Sequence, residues 1–114
     1  MTKRFKYQFV DLIPDKINQD IIYISTKYKS AIHLCACGCG NEVVTTLSPC
    51  DWCVIFDGNS VGLYPSIGNW GLPCRSHYWI LNNNVRWAPK WTQEQVASRR
   101  RRAKQNREFG NKNN

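Results

Sequence analysis

Three cysteines alternate with small residues in the stretch His33-Leu34-Cys35-Ala36-Cys37-Gly38-Cys39-Gly40. A second cluster, Pro73-Cys74-Arg75-Ser76-His77-Tyr78-Trp79, follows later in the chain. Thiolates and imidazoles are the ligands that zinc prefers, and a tetrahedral site needs four of them. Two distant loops that both supply ligands would hold the middle of a small domain together. The sequence therefore predicts a zinc site whose four ligands come from five residues: Cys35, Cys37, Cys39, Cys74 and His77.

The composition puts both clusters in one small domain. The chain has 114 residues, of which 42% are hydrophobic and 21% are charged, and this is typical of a globular protein. No apolar run approaches the roughly 18 residues needed to span a bilayer, and the first residues lack the apolar stretch of a signal peptide. We therefore expect a cytoplasmic protein without membrane contact. Because the cytoplasm disfavours disulfides, metal binding is the favoured explanation for the six cysteines.

The net charge of +8 is concentrated near the C terminus. Residues 1–89 carry eight Lys and Arg against six acidic residues, whereas residues 90–114 carry eight against two. We therefore divide the chain into a zinc-binding β domain, residues 1–89, and a basic helix with a tail, residues 90–114. Thr92-Gln93-Glu94-Gln95 fits a capping box that begins a helix over residues 93–109. Its arginine-rich part, residues 99–107, suggests weak binding to nucleic-acid phosphates as one alternative function.

The remainder of the chain has the pattern of β structure. Short apolar or alternating runs, rich in β-branched and aromatic residues, are separated by turn formers such as Asp57-Gly58-Asn59 and Asn82-Asn83-Asn84. Eight strands are predicted, over residues 7–13, 20–25, 31–35, 42–47, 52–56, 61–64, 78–81 and 85–88. This number and spacing favour a mainly β fold, namely a small antiparallel barrel or sandwich.

The second cysteine cluster resembles a loop of Rieske domains. Cys74-Arg75-Ser76-His77, Asn82-Asn83-Asn84-Val85 and Ala88-Pro89 follow the order of that loop, which is Cys-x-x-His, strand, turn, strand and proline. The resemblance implies a Rieske-like β fold and, as an alternative function, electron transfer. The other Rieske loop carries Cys-x-His, but Cys35-Ala36-Cys37 or Cys37-Gly38-Cys39 stands in its place here. A thiolate instead of an imidazole favours zinc over a two-iron cluster.

A longer resemblance covers residues 31–88. The motifs are similar to those of a bacterial family of small cysteine-rich proteins that are encoded beside ubiquitin-like modifiers and their conjugating enzymes. The motifs are His33-Leu34-Cys35, Cys37-Gly38-Cys39-Gly40, Ser66-Ile67-Gly68-Asn69-Trp70 and Pro73-Cys74 through Ile80. The resemblance implies a ubiquitin-like partner and a serine-type peptidase that processes or deconjugates it. A non-catalytic zinc-binding adaptor of the same pathway is the alternative.

A further cysteine pair, Cys50-Asp51-Trp52-Cys53, has the spacing of a redox disulfide or of half a zinc site. Its β context argues against a thioredoxin-like setting, in which such a pair opens a helix. The family that the chain resembles carries other residues at these two positions. We therefore expect no functional role for this pair.

Serine peptidase chemistry needs a nucleophile, a base within hydrogen-bond reach and an oxyanion hole. Ser66, in the predicted turn over residues 65–69, and Ser76 are the candidate nucleophiles, and His33 and His77 are the only histidines. If zinc takes the four cysteines, both histidines are free; if His77 binds zinc, only His33 is left as a base. Adjacent strand residues point to opposite faces, so Ser76 is not expected to pair with its neighbour. Ser66 with His77 and Ser76 with His33 are the two possible pairs, and Asn69 could orient a histidine or donate to the oxyanion.

Overall fold

The computed structural model describes residues 3–89 and 91–112, without the side chains of residue 103 and residues 105–112. It contains two four-stranded sheets and one helix. The first sheet has the order β1 (Lys6–Phe9), β2 (Ile21–Ser25), β3 (Ser30–Leu34) and β4 (Glu42–Thr46). The second has the order β5 (Cys53–Phe56), β6 (Val61–Gly68), β7 (His77–Leu81) and β8 (Asn84–Trp87), and the helix α1 spans Gln93–Lys112. The predicted mainly β fold is confirmed, and the two sheets fit a sandwich rather than a closed barrel.

Neighbouring strands are antiparallel throughout, except for the parallel pair of β1 and β2. Isolated bridges, between Arg4 and Asn84 and between Leu47 and Trp52, connect the flanks of the two sheets. The chain before β1 is fixed to the turn between β7 and β8, because the Phe5 N–H donates to the Asn83 carbonyl oxygen at 2.7 Å. The N-terminal segment thus ties the first sheet to the second.

The core is built from alternating residues of both sheets. Along β3 and β4, every second side chain is buried, as expected for strands with one face toward a core. Residues of both sheets join one apolar cluster: Phe5, Ile22, Ile24, Ala31, Cys35, Ala36, Val43, Val61, Leu63, Ile67, Tyr78, Ile80 and Val85. The core therefore lies between the sheets.

His33, one of the two candidate bases, is part of this core. It is fully buried in β3, with its ring edge-on to Phe5 at 5.3 Å between centroids. Its Nε2 atom lies 2.7 Å from the Tyr78 hydroxyl, and its Nδ1 atom has no hydrogen-bond partner among the described residues. Burial lowers the pKa of His33 to about 4, so the ring is neutral at pH 7. The structure thus places His33 inside the domain.

Removing the Tyr78 hydroxyl tests this buried contact. We expect Tyr78→Phe to lower the free energy of unfolding by about 2 kcal/mol, because it leaves the His33 ring without any hydrogen bond in the core. Urea unfolding measures the change. Tyr23→Phe is the matched control, since the Tyr23 hydroxyl accepts the N–H of exposed Asn18 at 3.0 Å, and water can replace that bond. Equal losses in the two variants would contradict the prediction.

Strand β6 is longer than the sequence predicts, and this changes the setting of Ser66. The strand continues to Gly68, so Ser66 lies within it and not in a turn. The register between β6 and β7 shifts between Leu63 and Ile67. Pro65, which has no N–H to donate to a sheet, lies inside this irregularity. The strand thus continues through Pro65, which the sequence analysis placed in a turn.

The predicted capping box begins helix α1. The Thr92 N–H donates to Gln95 Oε1 at 2.8 Å, and the Gln95 N–H donates to Thr92 Oγ1 at 3.2 Å. The helix passes through Gly110, where the sequence predicted its end, and residues 113 and 114 of the predicted tail lie outside the described residues. Within the described residues, α1 is too polar to qualify as a membrane-spanning helix, and no other helix qualifies.

Candidate active site and metal centre

Four of the five predicted ligands bring their sulfur atoms within 4.8 Å of one another: Cys35, Cys37, Cys39 and Cys74. The Cys35 Sγ atom is 3.5 Å from that of Cys37 and 3.8 Å from that of Cys74. Thiolates around a tetrahedral zinc ion, with Zn–S bonds of about 2.3 Å, would lie about 3.8 Å apart. The donor set therefore fits a tetrahedral metal ion. His77 is not in this group.

Two loops build the cluster. In the loop between β3 and β4, the Cys35 N–H donates to the Asn41 carbonyl oxygen at 2.8 Å, and the Gly38 N–H donates to the Cys35 carbonyl oxygen at 3.0 Å. Gly38 and Gly40 have φ angles of 88° and 84°, in the left-handed region that favours glycine. The loop between β6 and β7 supplies Cys74. Tight backbone turns thus explain why so short a segment offers three sulfurs to one point.

Hydrogen bonds prepare one of these sulfurs for metal binding. The Asn41 side chain donates to Cys39 Sγ at 3.2 Å. The backbone N–H of Asn41, followed by its side chain, lowers the pKa of Cys39 to about 6. Since the thiolate is the form of cysteine that binds metals, this lowered pKa favours metal binding by Cys39.

Ser76 packs against the sulfur cluster and is not placed to act as a nucleophile. Its Oγ atom lies 3.0 Å from Cys35 Sγ and 3.4 Å from Cys74 Sγ. The Asn69 side-chain amide donates to Ser76 Oγ at 3.1 Å, which leaves the Ser76 hydroxyl proton for a sulfur. Ser76 therefore contacts the clustered sulfurs and not His33. The Asn69 amide also donates to Cys35 Sγ at 3.6 Å, so both of its N–H groups are used, and within the described residues no hydrogen bond joins Asn69 to a histidine.

Ser66 and His77, by contrast, are in direct contact. The Ser66 Oγ atom lies 2.9 Å from His77 Nε2, and His77 Nδ1 lies 2.7 Å from the Pro89 carbonyl oxygen. A carbonyl oxygen can only accept, so Nδ1 carries the ring proton and Nε2 is left to accept the Ser66 hydroxyl proton. This is the arrangement of a serine nucleophile and its general base, with a backbone carbonyl in the orienting position that a carboxylate often occupies.

Sheet geometry explains why these two side chains meet. Gly68 of β6 pairs with His77 of β7, and Ser66 precedes Gly68 by two residues, so Ser66 and His77 share one face of the sheet. Ser76 adjoins His77 and faces the sulfurs. The Ala88 N–H donates to the His77 carbonyl oxygen at 2.8 Å, which brings the following residue, Pro89, beside the ring.

Tryptophans enclose the His77 ring, which is only 5% exposed. Trp70 and Trp91 each contact it edge-on at 5.1 Å between centroids, and they stack on each other at 5.6 Å. The Arg75 guanidinium lies over Trp70 and donates to the Trp91 carbonyl oxygen at 3.2 Å. The ring is therefore fixed in orientation on several sides.

A cavity of about 200 Å³ opens beside the two residues. Its lining includes Ser66, His77, Cys50, Asp51, Trp52, Trp70, Trp91, Arg99 and Arg100. The Trp52 indole N–H donates to the Ser66 carbonyl oxygen at 3.3 Å and thereby fixes the backbone of the serine. A peptide bond that enters this cavity would meet the hydroxyl and the imidazole together.

Gly68 is required for the position of Trp70, and this gives a testable prediction. A Cβ atom at residue 68 would lie 2.6 Å from Cε2 of the Trp70 ring. We expect Gly68→Ala to displace Trp70 from His77 and to lower by about tenfold the kcat/KM of any reaction that uses the Ser66–His77 pair, since small misplacements of reacting groups are costly. Gly71→Ala is the matched control, because no atom lies within 4 Å of its Cβ position. Equal activity in the two variants would contradict this role of Gly68.

The structure separates the predicted residues into two sites and leaves some outside both. Four cysteines form the sulfur cluster, and Ser66 and His77 form the second site. His33 lies in the core. None of the six cysteines forms a disulfide, and Cys50 and Cys53 lie outside the sulfur cluster. Sequence reasoning missed Pro89, which acts through a backbone carbonyl and has no side-chain signal. It also missed the enclosing tryptophans.

Comparison with protein-family models identifies a family that matches most of this chain. A family model described as "Bacterial ubiquitination-like system serine protease (BubE)" matches residues 9–88. This confirms the resemblance to proteins encoded beside ubiquitin-like modifiers. No curated protein and no solved structure matches the chain, so the Rieske-like arrangement stays a prediction. The matched range contains the four clustered cysteines together with Ser66 and His77.

Proposed function

Since the chain belongs to the bacterial ubiquitination-like system serine protease (BubE) family, we propose that it is a cytoplasmic peptidase that processes or deconjugates a ubiquitin-like protein. In this proposal Ser66 is the nucleophile and His77 is the general base. The observation that carries it is the 2.9 Å contact between Ser66 Oγ and His77 Nε2 at the wall of a cavity. The alternative pair, Ser76 with His33, lacks this geometry, because the first contacts sulfurs and the second is buried beside Tyr78.

Ser66 and His77 act one after the other in the proposed reaction. Ser66 Oγ attacks the carbonyl carbon of the scissile bond, and His77 Nε2 takes the hydroxyl proton. His77 then gives that proton to the leaving amine as the C–N bond breaks, which leaves the ubiquitin-like protein esterified to Ser66. A water molecule attacks the ester and gives its proton to Nε2. The ester bond breaks, the proton returns to Ser66 Oγ, and the carboxylate product leaves.

The Pro89 carbonyl oxygen supports the positive charge that forms on His77. It accepts the Nδ1 proton at 2.7 Å, so it holds the ring in the tautomer that leaves Nε2 free to accept. A carbonyl dipole stabilises the imidazolium less than a full carboxylate charge would. The low exposure of His77 strengthens this interaction, because little water competes with it.

We propose that the sulfur cluster binds a zinc ion and that this ion has a structural role. Cys35, Cys37, Cys39 and Cys74 would hold it, and a thiolate-only shell is typical of closed structural zinc sites. The ion would cross-link the loop after β3 to the loop before β7. The electron-carrier alternative has no support in this donor set, since a Rieske centre takes two imidazole ligands and neither histidine lies in the cluster.

The test uses a ubiquitin-like protein encoded beside this gene, extended by a few residues past its mature C terminus. We expect the purified protein to trim the extension at one bond, and mass spectrometry gives the cleaved position. A second substrate, in which the mature C terminus is joined to a lysine side chain, tests deconjugation. The Ser66→Ala variant should leave both substrates intact.

A complex without trimming of either substrate, formed by folded and metal-loaded protein, would overturn the peptidase proposal and favour the adaptor alternative. The comparisons give no support to nucleic-acid binding by residues 99–107, and the described arginines of this segment include two that line the cavity beside Ser66.

A further inference from the structure

Two consecutive arginines of α1 line the cavity that contains Ser66 and His77. Arg99 and Arg100 are exposed residues, and both contribute to the wall of this cavity. Arg99 also lines an adjoining cavity with Cys53 and Tyr64 and a third one beside Glu94, so it lies where three cavities meet. The proposed reaction does not use either guanidinium group. Their position therefore calls for a separate explanation.

Neither arginine is neutralised within the described part of the protein. The single ion pair among the described residues joins Lys3 and Asp20. Asp51, an acidic residue in the wall of the same cavity, accepts a hydrogen bond from the Ser48 hydroxyl at 2.8 Å. Two guanidinium groups without an acidic partner among the described residues thus face the space that a substrate would enter.

We propose that Arg99 and Arg100 bind a carboxylate of the substrate peptide next to the scissile bond. The proposal rests on the peptidase function proposed above and adds a charge preference to it. A guanidinium group presents paired N–H donors that match the two oxygens of a carboxylate. Trp52, Trp70 and Trp91 line the same cavity, so the apolar part of a bound residue can pack against their rings while its carboxylate meets the arginines.

The size of the cavity limits which part of a peptide it can bind. At about 200 Å³ the cavity is smaller than the roughly 300 Å³ at which small-molecule sites begin, so it suits one side chain or one chain end. The carboxylate can therefore come from an acidic residue that follows the scissile bond or from the C terminus of a short extension. Both sources offer the same chemistry to the arginines, and the experiment separates them.

The experiment uses four peptides that carry the C-terminal sequence of the ubiquitin-like protein and two further residues. They combine Asp or Asn directly after the scissile bond with a free or an amidated C terminus. Binding to the Ser66→Ala variant is followed by tryptophan fluorescence, because three tryptophans line the cavity. We expect about tenfold tighter binding of at least one singly charged peptide than of the neutral peptide, and a smaller difference at high salt. The tighter binder identifies the source of the carboxylate.

Substitution of Arg99 and Arg100 tests whether these two residues cause the preference for charged peptides. In the Ser66→Ala background, Arg99→Gln with Arg100→Gln should reduce the affinity for the charged peptides to that for the neutral peptide. Arg101→Gln is the matched control, because Arg101 carries the same charge on the same helix and does not line this cavity. Equal affinity for all four peptides, or an unchanged charge preference in the double variant, would overturn the inference.

Cleavage assays with the unmodified protein distinguish a failure of the charge preference from a failure of the peptidase proposal. Cleavage of charged and neutral peptides with equal kcat/KM and equal affinity would overturn the charge preference and leave the peptidase intact. If no peptide and no extended protein is cleaved, the peptidase proposal fails, while charge-dependent binding would still establish the carboxylate site.

Discussion

Replacing Ser66 with alanine is expected to lower kcat/KM for the extended ubiquitin-like protein by at least about a thousandfold. The variant lacks the oxygen that would form the acyl-enzyme, and the Ser66 Oγ contact with His77 Nε2 is lost. The binding surface is otherwise unchanged, so the affinity for the substrate should change little. Single-turnover cleavage and equilibrium binding measure the two quantities separately.

His77→Ala is expected to cause a loss of similar size, because an unassisted serine hydroxyl is a poor nucleophile at pH 7. The double variant should be no worse than either single variant, since the two residues act as one unit. Ser60→Ala is the matched control: this serine precedes β6 and bonds to Asp57 at a distant turn. Additive losses, or full activity in Ser66→Ala, would contradict the assignment of the pair.

Removing the metal ion that we propose for the sulfur cluster is expected to cause the largest loss of stability. We expect chelation to lower the free energy of unfolding by at least about 4 kcal/mol and Tm by roughly 15 °C, because the ion would cross-link the loop after β3 to the loop before β7. Thermal unfolding followed by circular dichroism, with metal content from elemental analysis, measures this. Peptidase activity should disappear in parallel, since Cys74 lies three residues before His77.

Cys74→Ser should reproduce the effect of chelation, because it removes the one ligand supplied by the second loop. Cys53→Ser is the matched control, since Cys53 is an exposed thiol in β5, outside the sulfur cluster. A stoichiometric metal that is retained in Cys74→Ser, or equal Tm values for the two variants, would show that the cluster is not the metal site.

The sequence was sufficient to predict the eight strands and the cysteine cluster because both depend on local patterns. Alternation and turn formers mark strands, and the glycine-spaced cysteines of one loop need only a single partner loop to complete a site. The pairing of β1 with β2 in parallel, and the continuation of β6 through Pro65, depend on tertiary packing, which local patterns do not record.

The candidate site was predictable in part for the same reason. The rule that neighbouring strand residues face opposite sides is enough to separate Ser76 from His77 by their order in the chain. It does not distinguish the remaining pairs, because the burial of His33 depends on how β3 packs against Tyr78 of the other sheet. The orienting role of Pro89 comes from a backbone oxygen, which every residue carries, so its identity gives no signal.

Ser76 contacts the sulfur cluster, and the next residue, His77, contacts Ser66. Because the two sites are adjacent in the chain, the number of residues between Cys74 and His77 cannot change freely. Because buried Tyr78 and Ile80 fix the register of β7, a one-residue insertion or deletion between Cys74 and His77 would move Cys74 or Ser76 away from the other sulfurs. The interval is therefore constrained in number as well as in kind. Insertions that diversify relatives of this protein are expected in other loops, such as the one between β1 and β2, where neither site depends on residue count.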